Sequence, residues 1–378
     1  MGMESYGGTY EREKRRRGRG VASLFNFVML AITVVSALLL VSAFFAKYVD
    51  PADSWFFAFA GLGAPIIYMA NVVLLLFWIV KWRLYVLIPL AVLLLGMSDV
   101  KLFFRPAKNG EAEVYDGNKF TFMTYNVMGF MTESEAGLVS SLDTAALYIK
   151  KLNPDILCIQ EYQTTRSNPK IKIDSLFGMR YNRVHYTKPS SDGGWGIAVY
   201  SKYPIVAYEA MDYPESVNSS MWVDIRIGGD TLRVLNNHLQ STSVSKEDRD
   251  YIDTQEYLHS EGREEKVRSI AGKLWGGFKK RAAQADSLAI AIEASPYDVI
   301  VCGDFNDTPI SYAYTTIRGD LLDAFVEKGK GMPNTFNGLF NMFRIDYVFH
   351  SERLKALSYD SPEWECSDHK PVVVDFGY

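Results

Sequence analysis

Asp304 and Asn306 close the run Val299-Ile300-Val301-Cys302-Gly303-Asp304-Phe305-Asn306-Asp307. An apolar strand enters there into a carboxylate and a carboxamide two residues apart. Residues i and i+2 of an extended chain point the same way. Gly303 lets the backbone turn, or be approached closely, beside them. The design recurs: Phe120 to Asn126 ends in an amide, Ile156 to Glu161 in a carboxylate, and Leu232 to His238 in an imidazole. Ile345-Asp346-Tyr347-Val348-Phe349 and Ser367-Asp368-His369 add two carboxylates and a further imidazole. Singly, a strand-end Asp or Asn is most often a turn former, and His238 alone fits a satisfied core histidine. The chain has only 5 histidines, however, and His238 and His369 both fall in these runs. The joint pattern is far more specific than any member.

Such a set suits phosphate chemistry around a hard metal. Mg²⁺ takes oxygen ligands, keeps several waters, and needs one or two carboxylates beside the substrate phosphate. Glu161 is the expected acidic ligand, with Asn126 as a neutral oxygen and Asp368 as a second acid. Hydrolysis of a phosphate ester also needs a positioned water, neutralised phosphoryl oxygens and help for the leaving group. Asp304 is placed to align or deprotonate the water, and Asn306 to hold a phosphate oxygen. His369 suits proton handling or phosphate contact, because imidazole titrates near neutrality. Asp346 could orient it, and His238 could donate a hydrogen bond across the site.

The elements that must hold these groups are mixed. Strand-like runs cover Phe120–Val127, Ile156–Ile159, Gly196–Tyr200, Met221–Ile227 and Leu232–Asn237, with Gly228-Gly229-Asp230 as a hairpin signal between the last two. Leu138–Leu152 has helical spacing and stops at Asn153-Pro154. Ala282–Ala294 predicts a helix feeding the Val299 strand. Strands and helices in alternation mean α/β or α+β, with enough chain for a large core. In the charged stretch Ser241–Lys280, Val267, Ile270, Ala271, Leu274, Trp275 and Phe278 form one apolar face among lysines and arginines. That helix could pack on the core, lie on a membrane surface or cover the site.

The first hundred residues differ from the rest. Apolar runs cover Val21–Ala46, Ser54–Val80 and Leu84–Met97. The first two are long enough to cross a bilayer, and the third, of about 14 residues, is short for a span. Arg12, Lys14, Arg15, Arg16, Arg17 and Arg19 precede the first run and place that end in the cytoplasm. If the third run crosses, the remainder of the chain lies outside the cytoplasm. The expected organisation is a basic tail (1–20), a membrane segment (21–104), a linker (105–118) and a catalytic domain (119–378). From Arg105 onward there are 30 Lys and Arg against 38 Asp and Glu. That balance disfavours, without excluding, a nucleic-acid surface. Three cysteines, two of them inside apolar strands, read as free buried thiols rather than a zinc site or disulfides.

The runs Thr124-Tyr125-Asn126-Val127, Asp155 to Glu161, Gly196 to Ile205, Asn236-Asn237-His238-Leu239, Gly303 to Asp307, Arg344 to Val348 and Ser367 to Val372 occur in one order over residues 119–378. In this they resemble the endonuclease/exonuclease/phosphatase superfamily, the group of deoxyribonuclease I. The resemblance implies a four-layer α/β sandwich, two packed β-sheets flanked by helices, here preceded by about three transmembrane helices. It implies Mg²⁺ or Mn²⁺ dependence, with Asn126, Glu161 and Asp368 at the metal. Asp304 and Asn306 would handle water and phosphate, Asp346 would orient His369, and His238 would face the phosphate. Met128 stands where some apurinic endonucleases carry an acid, which argues against abasic-site repair.

The expectation is a multi-pass inner-membrane phosphoesterase with its catalytic domain outside the cytoplasm. It would hydrolyse a phosphodiester or phosphomonoester by direct attack of water. Its partners would be the bilayer and a phosphate ester, whether lipid head group, nucleic acid or small molecule, with no protein partner. A nuclease acting outside the cytoplasm on DNA or RNA is the near alternative. A non-catalytic sensor or scaffold keeping the fold is the distant one.

Overall fold

The structure is a computed structural model, and it describes residues 5–106, 115–134, 137–242, 244–254, 262–338 and 343–378. Most of the expected linker, and part of the charged stretch after Ser241, lie outside the described residues.

The N-terminal part is helical. The basic tail and the first apolar run form one helix, α1 (Ser5–Phe45). The second run is two helices, α2 (Trp55–Leu62) and α3 (Ala64–Val80), bent by 67°. Pro65 lies in the first turn of α3, where its missing N–H costs nothing. The third run is a short 3₁₀ turn, then α4 (Leu87–Leu95), and continues beyond Met97 as α5 (Met97–Phe103) after a 61° bend at Gly96. Among the described residues, one unbroken apolar helix, Val21–Phe45, is long enough to cross a membrane, or up to three if each bent pair is one span. The helices are tied by polar contacts. Trp78 Nε1 donates to Thr33 Oγ1 at 2.8 Å, Asn71 Nδ2 to Ser36 Oγ at 2.9 Å, and Tyr68 Oη to the Gly96 carbonyl at 2.8 Å.

From residue 119 the chain builds two sheets. β1 (Lys119–Asn126) leads through a hairpin, β2 (Met131–Ser134) and β3 (Gly137–Ser140), into α6 (Leu142–Leu152) and β4 (Ile156–Thr164). After α7 (Lys170–Phe177) come β5 (Tyr181–Ser190), β6 (Gly193–Ser201), β7 (Ile205–Asp212), β8 (Ser219–Ile227) and β9 (Asp230–His238). Then follow α8 (Lys246–Asp253), α9 (Arg263–Glu293), β10 (Asp298–Asp304), α10 (Tyr312–Arg318), β11 (Leu322–Asp323), α11 (Ala324–Lys328), β12 (Asp346–His350), β13 (Lys355–Asp360) and β14 (Val372–Gly377). The sheet orders are β13-β14-β1-β4-β6-β5 and β11-β12-β10-β9-β8-β7.

The sheets face each other across Phe122, Cys158, Val199, Val223, Val234, Ile300 and Cys302, all fully buried. Each such aliphatic or aromatic side chain contributes about 1.5–3 kcal/mol by leaving water. Helices α6 and α7 cover the outer face of the first sheet, and α9 and α10 that of the second. Helix, sheet, sheet, helix is the expected four-layer sandwich. One local expectation fails at its start, and another holds as part of a longer element. Leu138 is exposed and belongs to a hairpin, because Glu133 to Leu138 pairs in β2–β3, and the helix starts only after Ser141. The predicted helix at Ala282 is the second half of one 31-residue helix, α9, since no proline interrupts it and Gly272, Gly276 and Gly277 are tolerated within it.

The sandwich sits on the N-terminal helices. Ile310, six residues past Asp304, is buried among Ala43, Ala46, Ala60 and Ala64. Helix α9 reaches the same place. Trp275 Nε1 donates to the Pro51 carbonyl at 2.9 Å, and Phe278 meets Phe59 edge-on, with ring centroids 5.5 Å apart. Ile270 and Phe278 of its apolar face are buried while Val267 stays exposed, and three of its lysines are engaged: Lys266 and Lys273 pair with Asp248, and Lys280 bonds the Glu215 carbonyl.

Candidate active site

Five strands deliver the polar groups to one end of the sandwich. β1 and β4 are parallel, with Asn126 opposite Gln160, which sets Glu161 just beyond Asn126. β9 and β10 are also parallel, with His238 opposite Asp304. β12 runs antiparallel to β10 and puts Asp346 opposite Asp304. Parallel pairing aligns equivalent strand ends, so groups far apart in sequence finish side by side. A register break in β4 between Ile159 and Tyr162 turns Glu161 out of the ladder, with φ at +54°. Non-glycine residues are uncommon there and are worth a functional look. Asn306 has the same backbone habit, with φ at +52°. Gly303 is required where it stands: φ is +123°, and a Cβ would run into the Asn237 carbonyl oxygen.

The side chains form one network. Asn126 Nδ2 donates to Asp304 Oδ2 at 3.0 Å and to Glu161 Oε1 at 3.3 Å. Asp304, 1% exposed, also accepts from the Asn306 backbone N–H at 2.8 Å and from Asn306 Nδ2 at 3.1 Å. His369 Nδ1 lies 3.0 Å from Asp346 Oδ2, while its Nε2 stands 3.7 Å from Asp304 Oδ2. His238 Nε2 is 3.7 Å from both Glu161 Oε1 and Asp304 Oδ2 and is buried without a hydrogen-bond partner. Asp368 joins through Ser367, whose hydroxyl lies 3.4 Å from Asp368 Oδ1 and donates to the Asn126 carbonyl at 2.8 Å. All eight residues singled out from the sequence thus converge. A cleft of about 400 Å³ opens over Glu161 and His238, walled by Lys188, Trp195, Val217, Asn218 and Ser241.

Protonation follows from burial and charge. Burial pushes the Glu161 carboxyl up to about 7, against the pull of His369 and with the push of Asp368. Burial also raises Asp304. It lowers His238 to about 4, so this imidazole is neutral at pH 7. For His369, burial alone would discharge the ring, but Asp346 and Asp304 outweigh it and hold the imidazolium well above its ordinary range.

The donor set fits a hard divalent cation. Glu161 is a strand-end carboxylate with no lysine or arginine bonded to it among the described residues, and its charge is disfavoured until a cation arrives. Asn126 Oδ1, which accepts the Met128 N–H at 3.1 Å, and the half-buried Asp368 supply further oxygens. Asp304, Asp346 and His369 also bring potential ligand atoms within 4.8 Å of one another. The imidazole stands between the two carboxylates, hydrogen-bonded to Asp346 and facing Asp304 at 3.7 Å.

Several supporting residues carried no distinct sequence signal. Gln160 Nε2 bonds Thr124 Oγ1 and Asn236 Oδ1, while Asn236 Nδ2 bonds the Ile159 and Ala198 carbonyls, stitching the two sheets beneath the site. Thr335 Oγ1 accepts the Asp346 backbone N–H at 3.1 Å. Arg281 of α9, fully buried, donates to Asp307 Oδ2 at 2.9 Å and the Gln240 carbonyl at 2.8 Å, bracing the two strand-end loops. Gln160 and Asn236 fall within the runs that carry the resemblance, and their polar side chains inside apolar strands were the clue to a buried contact.

The chain is similar to several known proteins. Residues 26–103 match a domain of unknown function (DUF8431). A curated relative, a 5'-tyrosyl-DNA phosphodiesterase of Caenorhabditis briggsae, is 27% identical over 135 residues, which is 34% of this chain and 35% of that protein. The chain thus spans about a third of the length of the curated relative it matches. Among solved structures, an endonuclease/exonuclease/phosphatase family protein from Leptotrichia buccalis C-1013-b is 16% identical, with a TM-score of 0.48 over 68% of this chain and 100% of that one. An endonuclease/exonuclease/phosphatase from Beutenbergia cavernae DSM 12333 is 18% identical, with a TM-score of 0.47 over 68% and 71%. The family model of the Endonuclease/Exonuclease/phosphatase family matches residues 123–369, from β1 to His369. The chain belongs to the endonuclease/exonuclease/phosphatase family.

Proposed function

We propose that this enzyme is membrane-anchored, depends on Mg²⁺, and cleaves its ester by direct attack of water, with its sandwich outside the cytoplasm. The observation that carries the reaction is the convergence of Glu161, Asp304 and the Asp346–His369 pair on one buried point. Glu161, Asn126 and Asp368 would hold the metal, which when bound neutralises a phosphoryl oxygen. Asp304, raised by burial and steadied by Asn126 and Asn306, accepts the proton of the attacking water. Protonated His369, oriented by Asp346, donates through Nε2 to the phosphoryl group. Neutral His238 offers one further hydrogen bond from its unpartnered Nε2. The leaving oxygen departs opposite the water, and no covalent enzyme intermediate forms.

The orientation is supported by one ion pair. Lys47, just past the end of α1, bonds Asp99 of α5 at 2.8 Å. The end of the third apolar run is therefore at the same level as the end of the first, as expected if three spans separate the basic tail from the sandwich.

A second reading is a nuclease, favoured by the name of the Caenorhabditis briggsae relative and opposed by the acidic balance of residues 105–378. The test uses the purified full-length protein on single- and double-stranded DNA, RNA, phospholipid vesicles and bis(p-nitrophenyl) phosphate, with Mg²⁺ or EDTA. Turnover that EDTA and Glu161→Gln both abolish is expected. Turnover surviving Glu161→Gln would sink the assignment. Steep weakening with salt on DNA would favour the nuclease.

A further inference from the structure

A groove of about 1220 Å³ runs between α1 and α3, larger than the roughly 300–1,000 Å³ of most small-molecule sites. Val35 and Leu39 form one wall, and Ile66 and Ala70 the other. Its lining from Ala31 to Leu39 descends about 12 Å along α1, close to the depth of one leaflet of a roughly 30 Å hydrocarbon core. Between the helices the groove does not call for a polar occupant, since the Ser36 hydroxyl on its wall already accepts a hydrogen bond from Asn71. Val35, Ile66 and Ala70 are exposed, so in a bilayer acyl chains reach this space sideways without crossing water.

The upper end of the groove belongs to the sandwich. Thr308 and Pro309 line it, two and three residues after Asn306. Asn334 lines it too, two residues before Phe336, whose ring centroid is 5.1 Å from that of His369. Two residues reach about 7 Å at most. The apolar groove therefore stops within a head group's length of the catalytic residues. Arg344 stands at this end as well; its Nη1 donates to Asp323 Oδ1 at 3.0 Å, while its Nε is buried without a hydrogen-bond partner.

We infer that the substrate is a membrane phospholipid: its acyl chains lie in the α1–α3 groove and its phosphate ester enters the site from below. This rests on the phosphoesterase reading. In the reaction the water oxygen forms the new P–O bond, and the ester oxygen leaves with its bonding pair and takes up a proton. Of the two products, a phosphate and an alcohol, one stays in the bilayer with the chains.

The experiment uses full-length protein with Mg²⁺ in phosphatidylcholine vesicles. Phosphatidylcholine, phosphatidylethanolamine, phosphatidylglycerol and phosphatidic acid are each offered as dihexanoyl and dioleoyl species, beside bis(p-nitrophenyl) phosphate. At least one head group should show kcat/KM higher by about tenfold or more for the dioleoyl form. Ala70→Trp on α3 and, separately, Val35→Trp on α1 should cut the dioleoyl rate about tenfold. Both should leave the bis(p-nitrophenyl) phosphate rate within about twofold. Chain-length independence, a parental dioleoyl rate in both variants, equal losses on both probes, or turnover of the soluble probe alone would each overturn the inference. Absence of turnover on bis(p-nitrophenyl) phosphate by the parent would instead strike the phosphoesterase reading itself.

Discussion

Glu161 is held where its charge is disfavoured, so the metal binding proposed for it would be a matter of pH. Without a cation, burial keeps its carboxyl at about 7, and a metal ligand must be deprotonated. Below that pH, protons compete with the metal. Isothermal titration of metal-free protein should show Mg²⁺ affinity falling about tenfold per pH unit below 7 and levelling above it. A flat profile would remove Glu161 from the metal. Asp346 is predicted to work differently. It fixes the His369 ring through Nδ1, so Asp346→Asn should lower kcat by about 10²–10⁴ with Mg²⁺ affinity little changed. If Asp346→Asn abolished Mg²⁺ binding, the cation would instead belong between Asp304, Asp346 and His369.

The site depends on how strands end, and that is where the sequence was most readable. A strand that terminates in an acid, amide or imidazole can be seen without coordinates, because the period of two carries through the last residue. What converts five such ends into one cluster is the pairing: β1 with β4 and β9 with β10, each parallel. Pairing between strands separated by an intervening helix and dozens of residues leaves no local trace. Nor did the β4 bulge that swings Glu161 outward, or the hairpin containing Leu138, whose apolar spacing imitates a helix. Gly303 tests this level. Its φ of +123° and its closeness to the Asn237 carbonyl leave no room for a side chain. Gly303→Ala should cost at least about 2 kcal/mol in thermal unfolding followed by near-ultraviolet circular dichroism. An unchanged melting temperature would show that the β9–β10 pair can shift apart without consequence.

At the scale of the whole molecule, the apolar runs were legible by length and composition, but their bends were not. Pro65 marked one break, whereas the turn at Gly96 depends on Tyr68 bonding its carbonyl from another helix. The docking of Ile310 among the alanines of α1 to α3 was equally hidden, since small residues at an interface read as ordinary helix formers. The three free thiols give this architecture a clock. Cys158 and Cys302 lie fully buried between the sheets, and burial together with their mutual hydrogen bond makes the Cys158 thiol hard to ionise. An alkylating reagent can reach them only when the sandwich parts. Cys366, also buried, lies next to Ser367 and Asp368 and needs only its own loop to lift. Mass spectrometry after timed alkylation should therefore find Cys366 modified first, and Cys158 and Cys302 later and at one shared rate. Mg²⁺ should slow the first event far more than the second, timing the active-site loop and the whole fold in a single tube.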